Sequence, residues 1–363
     1  MDAQITTIIP TFRRPRLLER AIRSVLCQTY SHMEVHIYDN ASGDRTSQLV
    51  AELARRDTRV KYHCHPENIG LVGNFVSGIE KVSTPFFNIL CDDDVLLPSF
   101  FASAIHAFAR FPEITAYIGA TIDAKMNGEV TDVPVRRYTH GLLQPPKGLF
   151  EMLRKGHLDW AGFIFRRDTL SRVGGLDLAT GTLFDVDLQL RIAGQYPIFI
   201  SPSPAAILFS HPEQASAAVA HDSIDKQFVP WDRIGHHLAA MRGLDKHHGE
   251  LARELFQARL RRRIVRAGGE AVARGSYNEG LKAVRILREK LQGVCSAVSL
   301  CTLCIISRVI PAPATRVLTG LIEQTQRVLQ KRRYGLGQTL PRRQCISYMP
   351  LVRESLNRLG SQQ

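Results

Sequence analysis

Short aliphatic runs alternate with segments whose apolar residues recur every three or four positions through the first third of the chain. Ile5–Ile9 is a continuous β-branched run closing at Pro10, the pattern of a strand covered on both faces. Pro15 suits the first turn of a helix, and Leu18, Ile22, Val25 and Leu26 repeat at helical spacing. Glu34–Tyr38 reads as a second strand. A turn at Ser42-Gly43-Asp44 leads into a helix carrying Leu49, Leu53 and Ala54. Strands at Val60–His63, Pro85–Cys91 and Ile114–Ile122 then alternate with helices at Gly70–Val82 and Pro98–Arg110. This order predicts an α/β fold: an open, mostly parallel sheet with helices on both faces. Ligands bind such sheets beyond the carboxyl ends of the strands. Three strand ends carry polar clusters there, Pro10-Thr11, Asp39-Asn40 and Asp92-Asp93-Asp94.

Gly128–Gly156 is irregular and reads as a hairpin and loop. Phe163–Phe165 is a strand, Thr169–Val173 a short helix, Gly174-Gly175 a break, Asp185–Ala193 a helix and Ile198–Ile200 a strand. Beyond Asp222 the pattern is helical, over Leu238–Val265, Tyr277–Ile310 and Thr315–Gln330. Charge changes at the same place. Residues 1–221 hold 22 basic and 23 acidic side chains, whereas residues 222–363 hold 25 and 11, so the helical part carries +14 of a chain total of +13. Two units follow: 1–221, an α/β domain, and 222–363, a basic helical region. With 44% apolar and 22% charged residues the chain is globular, which excludes disordered, collagen-like and disulfide-scaffold classes. The basic region points to a polyanion, and a membrane surface or phosphate-bearing acceptor fits better than nucleic acid. No nucleic-acid motif and no aromatic–basic interleaving stands there.

The opening Met1-Asp2-Ala3-Gln4-Ile5 has no basic segment leading into an apolar one, so no signal peptide is expected. Seven irregularly spaced cysteines favour a reducing cytoplasm. The uncharged stretch Gly293–Ser307 of the helical region is short of the roughly 20 apolar residues that span a bilayer.

The sharpest chemistry is Asp92-Asp93-Asp94 after the strand-like Asn88-Ile89-Leu90-Cys91. Three adjacent carboxylates repel, and a divalent cation with hard oxygen ligands relieves the cost while bridging to a phosphate. The competing reading is a solvated acidic turn before the next helix.

The chain resembles family 2 glycosyltransferases of the GT-A fold over about residues 4–215. Ile8-Ile9-Pro10-Thr11-Phe12-Arg13-Arg14 is similar to their first strand and loop, and Ser24-Val25-Leu26-Cys27-Gln28-Thr29-Tyr30 to a helix end. Glu34–Asp44 resembles their second strand, Asn68-Ile69-Gly70 with Asn74 their N-x-G segment, and Asp92-x-Asp94 their D-x-D. The resemblance implies an inverting, metal-dependent, hexosyltransferase-type enzyme of cell wall or polysaccharide biosynthesis. It would move a sugar from a nucleotide-diphosphate donor, UDP-linked by preference, to an acceptor hydroxyl. By that resemblance Pro10, Thr11, Arg13, Asp39, Asn68, Gly70, Asn74, Asp92 and Asp93 bind the nucleotide. Asp94 holds Mn²⁺ or Mg²⁺, and His211 lies where relatives place a histidine near the metal. Gly174-Gly175-Leu176-Asp177 followed by Phe184-Asp185-Val186-Asp187 resembles the family's G-G-F-D turn and catalytic pair, with Phe184 replacing the usual acid. Asp185 is then the general base that takes the acceptor's proton. A carboxylate at a helix N-terminus ordinarily stays ionised.

Trp160 offers an acceptor sugar an aromatic face, and core packing is the competing reading. Asp187 reads either as an acceptor contact or as the i,i+4 partner of Arg191. The implied partners are a nucleotide-sugar, a glycan or lipid-linked acceptor, and an anionic membrane surface under the basic region. The expected location is cytoplasmic, peripheral on the inner membrane face. His63-Cys64-His65 and Cys301-x-x-Cys304 lack further metal ligands, and the runs Arg261-Arg262-Arg263 (with Arg259 and Arg266) and Lys331-Arg332-Arg333 read as solvated helix faces. A noncatalytic sugar-nucleotide or membrane-surface module would not need the carboxylates. A nucleotidyltransferase would open on a Gly-rich, Lys-containing loop, which Pro10–Arg14 is not.

Overall fold

The computed structural model describes residues 4–211, 223–307, 312–334 and 348–360. The N-terminal part alternates β1 (Ile5–Thr11), α1 (Pro15–Leu26), β2 (Met33–Asp39), α2 (Thr46–Arg56), β3 (Val60–Cys64), α3 (Gly70–Glu80), β4 (Phe86–Ile89), β5 (Val95–Leu96) and α4 (Phe100–Arg110). It continues with β6 (Ala116–Lys125), β7 (Val130–Asp132), β8 (Gly141–Leu143), α5 (Lys147–Lys155), β9 (Phe163–Arg166), α6 (Thr169–Arg172), α7 (Phe184–Gln195) and β10 (Ile198–Ser210). One sheet runs in the order β3-β2-β1-β4-β9-β6-β10-β5, with β7 beside β6 and β8 beside β10. β3, β2, β1 and β4 are parallel, as are β6 and β10, while β9 is antiparallel between them. The expected mostly parallel open sheet is therefore present, with one inverted strand at its centre.

Alternation along β1 explains the covering on both faces. Ile5 and Ile9 pack with Leu18, Ile22, Val50 and Phe101 under α1, α2 and α4. Ile8 faces the other way, onto Ile79 and Phe75 of α3. The same second cluster runs on without a break into the helical region, through Trp231, Leu255 and Leu300.

That region comprises α8 (Ile224–Ala239), α9 (Lys246–Ala273), α10 (Tyr277–Glu289), α11 (Val294–Ile306), α12 (Ala312–Tyr334) and α13 (Met349–Gly360). The helix expected over Leu238–Val265 is broken. Gly243 takes φ +87° and the Asp245 side chain accepts from the His248 N–H, which starts α9. Tyr277–Ile310 divides similarly, where Gln292 turns at φ +49° and the Gly293 N–H reaches the Leu287 carbonyl. The irregular Gly128–Gly156 stretch contains α5, which its flanking prolines concealed. The boundary expected at 221/222 falls in residues 212–222, outside the described residues, as do the side chains of Lys331-Arg332-Arg333.

The Arg259–Arg266 run is not a uniformly solvated face. Half-buried Arg259 donates to the Met152 carbonyl at 3.1 Å and lies 3.1 Å from His157 Nδ1, pinning α9 to the end of α5. Arg261 donates to the Leu291 carbonyl at 2.7 Å.

Close approach of α3 to the sheet depends on Gly78, where a Cβ would stand 2.5 Å from Ile8 Cγ2. Gly78→Ala is expected to lower unfolding free energy by about 1–3 kcal/mol in urea titrations. An unchanged midpoint would mean the strand–helix contact yields freely.

Candidate active site

The carboxyl ends of β1, β2 and β4 border a cleft of about 390 Å³ lined by Pro10, Thr11, Asn40, Asn68, Asp92, Asp93, Trp160 and Asp185, among others. On its floor, Thr11 Oγ1 donates to Asp92 Oδ2 at 2.8 Å. Arg14 Nη1 reaches Asp92 at 3.3 Å and Asp93 at 3.1 Å. His211 Nε2 lies 2.9 Å from Asp93 Oδ2, and Asp94 Oδ1 accepts the Phe209 N–H at 3.0 Å. The end of β10 thus reaches both Asp93 and Asp94. Burial, then the neighbouring Asp93, pushes Asp92 up to about 6, and the same two causes hold Asp94 well above the usual carboxylate range. An acidic turn open to solvent would not show this, so the solvated reading fails.

Ligand atoms of Cys91, Asp93 and Asp94 all lie within 4.8 Å of one another. Burial holds the Cys91 thiol well above its ordinary value, so it stays protonated and ill suited to a hard cation. The carboxylate oxygens suit Mg²⁺ or Mn²⁺ well, and a cation there would offset the crowding of three buried carboxyls that Arg14 answers at Asp92 and Asp93. The residues therefore fit a divalent ion held from Asp93 and Asp94, with His211 bearing on it through Asp93.

One wall is built by amide chemistry. Asn40 Nδ2 donates to Asn68 Oδ1 at 2.9 Å and to the Gly70 carbonyl at 3.2 Å, while its Oδ1 accepts from the Ile69 N–H at 2.8 Å. Gly70 takes φ +79° and donates to Asn68 Oδ1 at 2.9 Å, so it shapes this turn rather than lining the cleft. Asn74 spans from the Tyr38 carbonyl, at 2.9 Å, to His65, at 3.0 Å. Asp39 is also set back. Its Oδ1 accepts from the Ser42 N–H at 3.0 Å and its Oδ2 from the Tyr62 hydroxyl at 2.6 Å. The expectation for Arg13 needs correction. At φ +57° it folds back onto the Ser42 carbonyl, 3.1 Å away, with its guanidinium 4.9 Å from the Phe12 ring. Arg14, one residue on, is the cation that reaches the carboxylates.

The opposite wall is aromatic and acidic. Trp160 packs against Phe184 at 5.0 Å and Phe75 at 5.4 Å between centroids, so it is chiefly a core residue presenting an edge. Phe184 fills the position where the resemblance expects an acid. Half-buried Asp185 lines the cleft from the first turn of α7, and its Oδ1 accepts its neighbour Val186 N–H at 2.7 Å. Burial, then Asp159, pushes it up to about 7, overriding the helix-end stabilisation expected from sequence. Asp187 does not line the cleft. It is 1% exposed at its side chain and held by Arg191 at 2.7 Å and His237 Nδ1 at 2.6 Å, so the acceptor contact gives way to the ion pair.

Two carboxyls escaped sequence reasoning. Burial pushes Asp159 to about 6 and Asp123 to about 8, and each is further raised by a neighbouring aspartate. Asp123 lies near the carboxyl end of β6, and the rule that singled out Asp39 and Asp92 applies to it equally.

Residues 6–174 match the family model described as "Glycosyl transferase family 2". A GalNAc(5)-diNAcBac-PP-undecaprenol beta-1,3-glucosyltransferase of Campylobacter jejuni is 37% identical over 95 residues, 26% of this chain and 31% of that protein. The uncharacterized glycosyltransferase EpsJ of Bacillus subtilis is 23% identical over 203 residues, 54% of this chain and 55% of that protein. The matched segments cover about a third or less of the first curated relatives. Among solved structures, S. aureus TarS 1–349 in complex with UDP-GlcNAc superposes with TM-score 0.61 at 15% identity over 92% of both chains. The fold is thus GT-A with a C-terminal helical region.

Carboxyls whose pKa is raised on folding stabilise the chain at low pH and lose that contribution as pH rises through the folded values. In the absence of divalent ions the melting temperature should fall between about pH 5 and pH 8, and Mn²⁺ should recover it most at the upper end. A flat profile would remove the cluster's electrostatic cost. Asp187→Ala is expected to cost about 3–5 kcal/mol in chemical unfolding because it strands Arg191. Asp185→Asn should cost nothing comparable, and equal losses would make both residues structural.

Proposed function

We propose that this chain, which belongs to glycosyl transferase family 2 through residues 6–174, transfers a hexose with inversion from a nucleoside-diphosphate sugar to an acceptor hydroxyl. One observation carries the reading: a single cleft is lined by Asp92 and Asp93, with buried Asp94 adjoining them, by Asn40 and Asn68, and by a half-buried carboxyl, Asp185, whose pKa burial raises to about 7. The nucleotide lies against Pro10, Thr11 and the Asn40–Asn68 wall, with Asp39 behind Ser42 addressing the base. Arg14 and Asp92 border the ribose and diphosphate. The likeness in fold to a protein solved with UDP-GlcNAc supports a UDP-linked donor.

Asp93 and Asp94 would hold Mn²⁺ or Mg²⁺, which when bound supplies charge neutralisation to the departing diphosphate. Asp185 accepts the acceptor hydroxyl's proton at a carboxylate oxygen as that hydroxyl attacks the anomeric carbon. Trp160 and Phe184 exclude water on the sugar's side. The acceptor is a glycan or lipid-linked saccharide of surface polysaccharide synthesis, the latter in line with the undecaprenol named for the C. jejuni relative. Residues 1–221 are the catalytic unit and 222–363 the basic unit, which meets an anionic membrane from the cytoplasmic side.

Asp185→Asn should lower kcat by about 10²–10⁴-fold and leave nucleotide affinity unchanged by calorimetry. The wild-type rate should rise with pH through about 7, because the protonated carboxyl cannot take a proton. Hydrolysis of a nucleotide-sugar panel with Mn²⁺ identifies the donor, and Asp94→Ala should abolish the metal's effect on nucleotide binding. Near-normal turnover by Asp185→Asn would place the base elsewhere.

A further inference from the structure

The helical region holds a second concave, strongly polar site. A cavity of about 470 Å³ lies between the N-termini of α8 and α10 and the last turns of α9, and Arg263, Arg266 and Arg274 stand in its wall. A neighbouring cavity of about 420 Å³ shares Arg266, Glu270 and Arg274 with it and adds Arg316 of α12. Arg266 and Arg274 line both cavities, Arg263 only the first and Arg316 only the second, and the two adjoining cavities together are the recess. The acids there are already committed: Glu270 pairs with Arg266 at 3.0 Å. Glu279 accepts the Ile224 N–H at 2.8 Å and the Lys282 ammonium at 2.7 Å. Arg263 rests its guanidinium 5.0 Å from the Trp231 ring, and partial desolvation together with Arg266 lowers its pKa although the residue as a whole is exposed. An anion in the recess would offset that crowding of positive charge.

A separate observation concerns two helices of the same region. α11 (Val294–Ile306) contains no charged residue, yet Val294, Val298 and Ile305 are 62%, 60% and 65% exposed, spaced on one face. On α12, Val317 and Leu321 follow directly after Arg316 and Gly320 and are 64% and 53% exposed. A surface helix normally carries polar residues outward. At about 1.5 Å per residue α11 is roughly 20 Å long, short of the ~30 Å hydrocarbon core. Among the described residues no helix is long and apolar enough to cross a membrane. An apolar face that adjoins Arg316 on α12, in a region with 25 basic and 11 acidic residues, complements an anionic lipid surface.

We propose that the recess lined by Arg263, Arg266, Arg274 and Arg316 binds the phosphate group of an anionic lipid while the exposed faces of α11 and α12 rest among its apolar chains. This deepens the membrane contact proposed above but does not depend on sugar transfer, so the two readings fail in separate assays.

The test is co-sedimentation of the full chain with phosphatidylglycerol–phosphatidylcholine vesicles and with phosphatidylcholine vesicles alone, beside calorimetric titration with inorganic phosphate. Wild type should pellet only with the anionic vesicles. Arg274→Glu/Arg316→Glu should lose about tenfold or more in apparent affinity. Arg55→Glu/Arg56→Glu, the same charge change on exposed positions of α2, should lose far less, which separates the recess from net charge. Val298→Asp/Ile305→Asp should also lose vesicle binding. If the glutamate pair fails to fold by circular dichroism, Arg274→Gln/Arg316→Gln replaces it. Equal loss in the α2 control would overturn the recess as the site. Phosphate binding without vesicle binding would overturn the lipid as its occupant, and no binding in either arm would overturn the proposal.

Discussion

Burying three consecutive carboxyl groups at the end of β4 is the constraint around which the N-terminal unit is organised. Isolated, such a cluster disfavours its own charged form and therefore the folded state at neutral pH. The chain surrounds it with donors drawn from distant segments: Thr11 and Arg14 after β1, the Phe209 amide on β10 and His211 just beyond it. Each tie fixes one strand end relative to another, so the cleft's geometry and the cluster's partial relief are one arrangement. The inverted β9 serves the same end. Asn88, on β4, donates to the Ala161 and Phe163 carbonyls at 3.0 and 2.8 Å, which brings the Asp159-Trp160 turn over the cluster.

The second organising contact is the seam between the sheet and the helical region. Asp187, on α7, is held by Arg191 of the same helix and by His237 of α8, while Asp177 meets Arg233 at 2.6 Å and His237 at 3.0 Å. Arg259 closes the seam at α5. Buried pairs of this kind fix registry more surely than they add stability. Here they hold the turn before α7, and hence Asp185, against α8. The near-neutral N-terminal part and the basic helical part meet through specific pairs, and an apolar core runs through both.

Much of this was legible because it is periodic or local. The β-branched run of β1, the turn residues after β2 and the Asp-rich end of β4 announce strand, loop and site in a few residues each. What escaped notice depends on contacts distant in sequence. Arg13 and Arg14 are alike in sequence, and only the positive φ at Arg13 sends one back to Ser42 and the other to the carboxylates. Asp185 and Asp187 are both acids in one helix turn. A difference of two positions turns one to the cleft and the other into the seam. Asp159 has no motif around it and becomes a site residue only when β9 folds beside β4. The arginines of α9 read as a surface run because helical periodicity says nothing of which neighbours α5, α10 and α12 bring.

The aspartates of the cleft also share one electrostatic field. Asp159 raises the pKa of both Asp94 and Asp185, and it acts on Asp123 as well. Negative charge at Asp94 is therefore linked to Asp185 through an intermediate carboxyl, Asp159. Counter-charge at Asp93 and Asp94 would favour ionised Asp159, and ionised Asp159 in turn holds the pKa of Asp185 up. Asp185 would then keep its raised pKa, and with it its basicity, when charge at Asp93 and Asp94 is balanced. The placement of Asp159 between the two ends thus makes readiness at one depend on occupation of the other.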